Sequence, residues 1–141
     1  MLVIIIGLPG SGKTEYQKSN YKDYICFDDF IETFCDLQLL NALIHNTIDI
    51  CINDPRLCDI NTFRQYLKIF LKYIRRDDIL LVLFDNDLAR CIENATTRIS
   101  TSSNNINKIL FSINHLHSKY NIDNYQDYNC KVIPVYNPLK N

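Results

Sequence analysis

One stretch near the start of the chain limits the folds open to it. Leu2–Ile6 is a run of apolar, largely β-branched residues, and Gly7-Leu8-Pro9-Gly10-Ser11-Gly12-Lys13-Thr14 follows directly. A buried strand, the spacing G-x-x-x-x-G-K-T and then a helical pattern form the context of a phosphate-binding loop. The residue types explain the chemistry. Glycines at 7, 10 and 12 let the backbone turn tightly, with Pro9 and Ser11 between them, so that its N–H groups converge on phosphate oxygens. The helix opening after Gly12 adds the positive end of its dipole. Lys13 has the reach for the β- and γ-phosphates, and the Thr14 hydroxyl is a ligand for Mg²⁺. Residues 7–14 therefore imply binding of a nucleoside triphosphate, ATP with Mg²⁺.

The rest of the chain supplies a matching scaffold. Apolar strand patterns at 24–27, 48–52, 79–84 and 131–136 alternate with helical patterns at 13–19, 28–46, 61–75, 87–98 and about 106–116. The clearest helix is 61–75, where Phe63, Tyr66, Leu67, Phe70, Leu71 and Ile74 make one apolar stripe. Residues 100–105, Ser-Thr-Ser-Ser-Asn-Asn, read as a polar loop. Pro55 ends the third strand, and Pro134 marks the last one as an edge. Strands alternating with helices predict an α/β domain: a parallel sheet of five strands covered by helices on both faces. With 141 residues, the expectation is one domain over 1–141 with a lid over about 87–105.

Composition excludes more than it suggests. No apolar run approaches the roughly 20 residues of a membrane span, so no membrane partner is expected. The strand begins at residue 2, which leaves no room for a secretory leader. Six cysteines, at 26, 35, 51, 58, 91 and 130, form no C-x-x-C pair and sit mostly in apolar segments. They read as small buried hydrophobes in a reducing compartment. The expected location is the cytoplasm. Abundant Asn, Ile, Lys and Tyr fit a gene from an AT-rich genome such as a virus, which would make it the host's cytoplasm. A net charge of −1 gives no global case for nucleic-acid binding.

Ligands of open α/β sheets bind beyond the carboxyl ends of the strands. Asp28-Asp29 follows the second strand and Asp54 the third. Phosphoryl transfer needs a carboxylate that takes the acceptor hydroxyl's proton, and a second on the metal side. Asp28 is the candidate base; Asp54, with Thr14, is the candidate metal-side residue. Arg90, Asn94 and Arg98 fall on one helix face before the polar loop, where an arginine could close over the transferring group. Arg98, at the loop's edge, is the stronger candidate, with Arg90 on the nucleotide. Tyr136, after the last strand, is placed either to stack on a base or to pack on the sheet edge. Arg64, Lys68, Lys72 and Arg75 form a basic stripe, read as a solvated face or a nucleic-acid track.

Four segments together resemble the kinase domain of bacteriophage-type polynucleotide 5′-hydroxyl kinases, within the adenylate-kinase-like phosphotransferases. They are the loop at 7–14, Phe27-Asp28-Asp29-Phe30, Asn53-Asp54-Pro55 and Asn94-Ala95-Thr96-Thr97-Arg98. The resemblance implies a three-layer P-loop NTPase fold with strand order 2-3-1-4-5, Asp28 as general base and Arg98 as lid arginine. Ile31 stands where that family carries an arginine for the acceptor's phosphate. The lid has one extra residue between Asn94 and Arg98. The expected function is an ATP-dependent kinase whose favoured acceptor is the 5′-hydroxyl of a nucleic acid; the alternatives are a kinase of a nucleotide or other small molecule and a nucleotide-binding regulatory module.

Overall fold

The computed structural model describes residues 1–33, 37–45, 48–98 and 103–138. Its centre is β1 (Leu2–Ile6), flanked in parallel by β3 (Ile50–Asn53) and β4 (Ile79–Phe84). β2 (Ile25–Asp28) adds beyond β3 and β5 (Cys130–Ile133) beyond β4, giving the order β2-β3-β1-β4-β5. This is the predicted α/β P-loop architecture. Every residue of β1 is fully buried, which is why its sequence is an unbroken apolar run and not an alternation.

The two faces of the sheet have different covers. Val3, Ile5, Cys51 and Val82 meet Tyr16 and Tyr21, brought by α1 (Lys13–Asn20) and the residue after it. Leu2, Ile4, Ile6, Ile50 and Ile52 face the larger core. There they meet side chains from α3 (Leu37–His45), α4 (Ile60–Phe70), α5 (Leu88–Arg98) and α6 (Ser103–Lys119). α1 thus has a sheet face largely to itself, with the phosphate-binding loop at its N-terminus.

Several boundaries differ from the sequence reading, each for a local reason. The pattern over 28–46 is divided between α2 (Phe30–Thr33) and α3; Phe34, one of its marker residues, lies outside the described residues. α4 ends at Phe70, not Arg75, although Ile74 stays buried and its N–H still bonds to Phe70 O. Apolar periodicity reports burial, and burial continues past the helix through the following turn. Asp87 stands outside α5 and caps it, its Oδ1 accepting from Arg90 N at 3.0 Å. Of the polar loop at 100–105, residues 103–105 belong to α6 and 100–102 lie outside the described residues. β5 is an edge strand, as predicted, and stops at Ile133, one residue before Pro134. Before β5, a 3₁₀ turn over Ile122–Tyr125 buries Tyr125 completely.

Among the described residues no helix is long and apolar enough to cross a membrane. Cys51, Cys58 and Cys91 are buried and free, and burial pushes each thiol up to about 12. At neutral pH they are uncharged thiols that fill space. Cys35 lies outside the described residues.

Candidate active site

The loop between β1 and α1 is held in shape from outside. Gly10 and Gly12 have φ of 82° and 99°, a region that side chains disfavour. Contact reinforces the choice: a Cβ on Gly10 would collide with Cys91 O, and one on Gly12 would lie 2.7 Å from Tyr136 Cβ. The neighbours that crowd the loop also bond to it. Asn94 Nδ2 donates to Gly10 O at 3.0 Å and to Tyr136 O at 2.8 Å, while Tyr136 N donates to Ser11 O at 3.0 Å. Asn94 therefore clasps α5, the phosphate-binding loop and the segment after β5 together. These protein donors satisfy the carbonyls of Gly10 and Ser11 and brace the loop from outside.

Lys13 is buried, and its Nζ donates back to Leu8 O at 2.9 Å. Burial lowers its pKa, opposed by the nearby carboxylates of Asp28 and Asp29. Thr14, in the first turn of α1, donates from Oγ1 to Asp28 Oδ2 at 3.0 Å. Asp29 follows Asp28 with φ of 48°, a left-handed conformation that Asp tolerates better than most side chains. Its pKa is raised, first by desolvation and then by the charges of Asp28 and Asp54. Arg98 ends α5 and forms no ion pair among the described residues.

A cleft of about 250 Å³ brings these groups together, with Lys13, Thr14, Asp28, Asp29, Asn53 and Arg98 on its walls. Gly7, Pro9, Gly10, Ser11 and Gly12 make the turn beside it, and the Ser11 side chain is buried. Tyr136 lines an adjoining hollow that Gly12, Thr14, Asp28, Asn94 and Arg98 share. Arg90 lies elsewhere: it pairs with Glu93 at 3.0 Å and borders a separate hollow with Asp85, Asp87 and residues 134–137.

Asp54 sits apart from the cleft lining. It is fully buried, and its two oxygens accept from Ile31 N at 3.1 Å and from Arg56 N, Nε and Nη2 at 2.9, 2.8 and 2.7 Å. Those donors make it the cap of the turn over Pro55–Cys58 and the anchor of Arg56. Strand alternation explains the placement. Cys51 and Asn53 point toward α1, whereas Ile50, Ile52 and then Asp54 belong to the other side. The residue that faces Thr14 from β3 is thus Asn53, which sequence reasoning passed over as the neighbour of an acid. An alternation count along 50–54 could have found it.

For Mg²⁺ the residues fit in a limited way. No group of three or more His, Cys, Asp and Glu side chains among the described residues forms a metal cage. The Thr14 hydroxyl suits a hard cation that would draw most of its ligands from phosphate oxygens and water.

A protein of Acanthamoeba polyphaga mimivirus, "Uncharacterized protein R277", is 36% identical over 138 residues, covering 96% of this chain and 96% of that one. The chain belongs to that protein's family. No protein-family model matches it. Among solved structures, the chain resembles a gluconokinase from Sinorhizobium meliloti 1021, with a TM-score of 0.62 and 12% identity over 98% of this chain and 84% of the other. It also resembles TT1252 from Thermus thermophilus, with a TM-score of 0.50 and 14% identity over 99% and 91%. At these identities the likeness shows the fold of this chain alone, an α/β P-loop kinase-like architecture.

Proposed function

We propose that this protein is an ATP-dependent kinase that transfers the γ-phosphate to a hydroxyl group. The observation that carries the reading is the cleft shared by Lys13, Thr14, Asp28 and Arg98. In this reading ATP lies with its phosphates on 7–14, and Thr14 would hold a Mg²⁺ that, when bound, would neutralise phosphate charge. The acceptor hydroxyl gives its proton to Asp28. Its oxygen bonds to the γ-phosphorus as the bond to the bridging oxygen breaks and ADP leaves. Lys13 and Arg98 stabilise the charge spread over the transferring group. Tyr136, in the hollow adjoining the loop, is the side chain this reading offers to the nucleoside.

For the acceptor, a small polyhydroxy compound is the better reading. Asp28 and Asp29 line the cleft wall. Paired carboxylates accept hydrogen bonds from hydroxyls. Likeness to a gluconokinase supports an acceptor of modest size. A second reading, the 5′-hydroxyl of a nucleic acid, is favoured by the exposed basic residues Arg64, Lys68, Lys72 and Arg75 and by the motif resemblance.

The test is transfer of ³²P from γ-labelled ATP to a panel of polyols, sugars, nucleosides and a 5′-hydroxyl oligonucleotide. Labelled product with a small hydroxyl compound, lost in Lys13→Ala and Asp28→Asn, is the expected result. Product only with the oligonucleotide would replace the first reading by the second. Tight ATP binding without product on any acceptor, with Asp28→Asn behaving as wild type, would make the protein a nucleotide-binding module.

A further inference from the structure

We infer that Asp29 selects the acceptor: its carboxylate takes the hydroxyl next to the one that gives its proton to Asp28, so the substrate is a vicinal diol. This rests on the kinase reading above. Neighbouring residues at a strand end ordinarily point to opposite faces of the sheet. The adjacent strand shows that outcome: Asp54 follows Asn53 with an extended φ of −163° and leaves the cleft lining. Asp29 instead follows Asp28 with φ of 48°, and both residues line the one cleft. The left-handed backbone keeps together two acids that an extended one would separate.

That conformation is held from the core. Asp29 O accepts from Glu32 N at 3.0 Å, and Phe30, the next residue, is fully buried with its ring edge-on to Tyr66. The Asp29 carboxylate gains nothing from it within the protein. It accepts no hydrogen bond among the described residues. Desolvation, and then the charges of Asp28 and Asp54, work against its ionised form. Asp54 differs, since four protein donors occupy its oxygens. A side chain that carries backbone strain and like-charge repulsion, lines a cleft and has no protein donor points to a ligand.

A carboxylate only accepts, so the ligand must bring donors. Asp28 Oδ2 receives the Thr14 hydroxyl, which leaves Oδ1 for the reacting hydroxyl. Hydroxyls on neighbouring carbons are a closely spaced pair of donors, and successive residues at one strand end are a closely spaced pair of acceptors. A lone alcohol would leave the Asp29 carboxylate unpaired in the complex, and a site built to bind a hydroxyl rejects the analogue that lacks it. Pro55, Ala95 and Ile109 line the same cleft and suit the C–H faces of the acceptor's carbon chain.

The experiment measures kcat and KM for ³²P transfer from γ-labelled ATP by the full chain to two matched pairs: glycerol with trimethylene glycol, and erythritol with tetramethylene glycol. The second member of each pair keeps the terminal hydroxyls and lacks the neighbouring ones. The wild type should favour glycerol and erythritol by about tenfold or more in kcat/KM, as expected for a hydrogen bond to a charged group. Asp29→Gly suits the φ of 48° and removes the carboxylate. It should abolish the preference by raising KM for the vicinal acceptors and not for ATP. Asp29→Asn, which keeps one acceptor oxygen, should hold part of the preference. A wild type without preference in either pair would overturn the inference, as would transfer to other acceptors of the panel and to none of these four. So would an equal loss on both members of each pair in Asp29→Gly, which marks a structural role. Should Asp29→Gly not fold, an undiminished preference in Asp29→Asn would overturn it instead. Failure of the wild type to label any hydroxyl compound or the oligonucleotide would overturn the kinase reading together with this one.

Discussion

Asn94 offers the sharpest test of how the phosphate-binding loop is held. Its side-chain NH₂ donates to Gly10 O and Tyr136 O, two carbonyls from segments far apart in sequence. Asn94→Ala removes both bonds. A hydrogen bond contributes about 0.5–1.5 kcal/mol net, and the bond to Tyr136 O is exposed, so the loss is about 1–2 kcal/mol. For a chain of this size that lowers Tm by about 3–8 °C. Asn94→Asp should be worse, although it is closer in shape. The carboxylate has no proton to donate and faces two carbonyl oxygens, adding a repulsion of about 1 kcal/mol to the lost bonds. The order of stability at pH 7 is therefore wild type, Ala, Asp. Protonating the carboxyl restores one donor, so the gap between Asp and Ala narrows as pH falls toward about 4. Urea denaturation followed by circular dichroism at pH 7 and pH 4 reads the order directly. Nucleotide titration of the same variants reads the brace, and both substitutions should weaken ATP binding. An Asp variant as stable as Ala at pH 7 would refute the assignment of Asn94 as a double donor.

Two further predictions follow from the carboxylates. Asp29 has a raised pKa, so its charged form is disfavoured in the folded protein and stability falls as pH rises from its unfolded value of 3.8 through the folded one. Asp29→Asn, which suits the φ of 48°, should raise Tm at pH 7 and leave it unchanged below about pH 3; a lower Tm at pH 7 would count against it. Arg56→Ala strips the buried Asp54 carboxylate of two side-chain donors and leaves it two backbone N–H groups. With Arg56 itself 39% exposed, the cost should be about 2–3 kcal/mol in denaturant unfolding, below that of a fully buried pair; a change under about 0.5 kcal/mol would show that the backbone donors suffice.

The local features were legible in the sequence because they depend on neighbours in the chain. The strand, loop and helix over 1–20 follow from an apolar run, three glycines and a Lys-Thr pair. The five strands follow from apolar segments bounded by polar turns, and parallel pairing from the helices between them. The same reading placed Lys13, Thr14, Asp28 and Arg98 among its candidates, and the fold brings these four to one cleft.

What tertiary structure alone decided are the relations across strands and helices. Asp54 looked like a site acid because it follows a strand, yet the side of the sheet it takes, and Arg56 folding back onto it, depend on three-dimensional packing. Arg90 and Arg98 share a helix face in sequence, but two turns of helix and the pairing of Arg90 with Glu93 separate their surroundings. Asn94 reaches residues 84 and 42 positions away, and Asn53 reaches Gln17 across 36, so neither partnership leaves a trace in local spacing. A sequence names a hydrogen-bonding group. Only the packed sheet determines whether its partner is supplied by the protein, as for Asp54, or is missing, as for the buried Asn53 Oδ1.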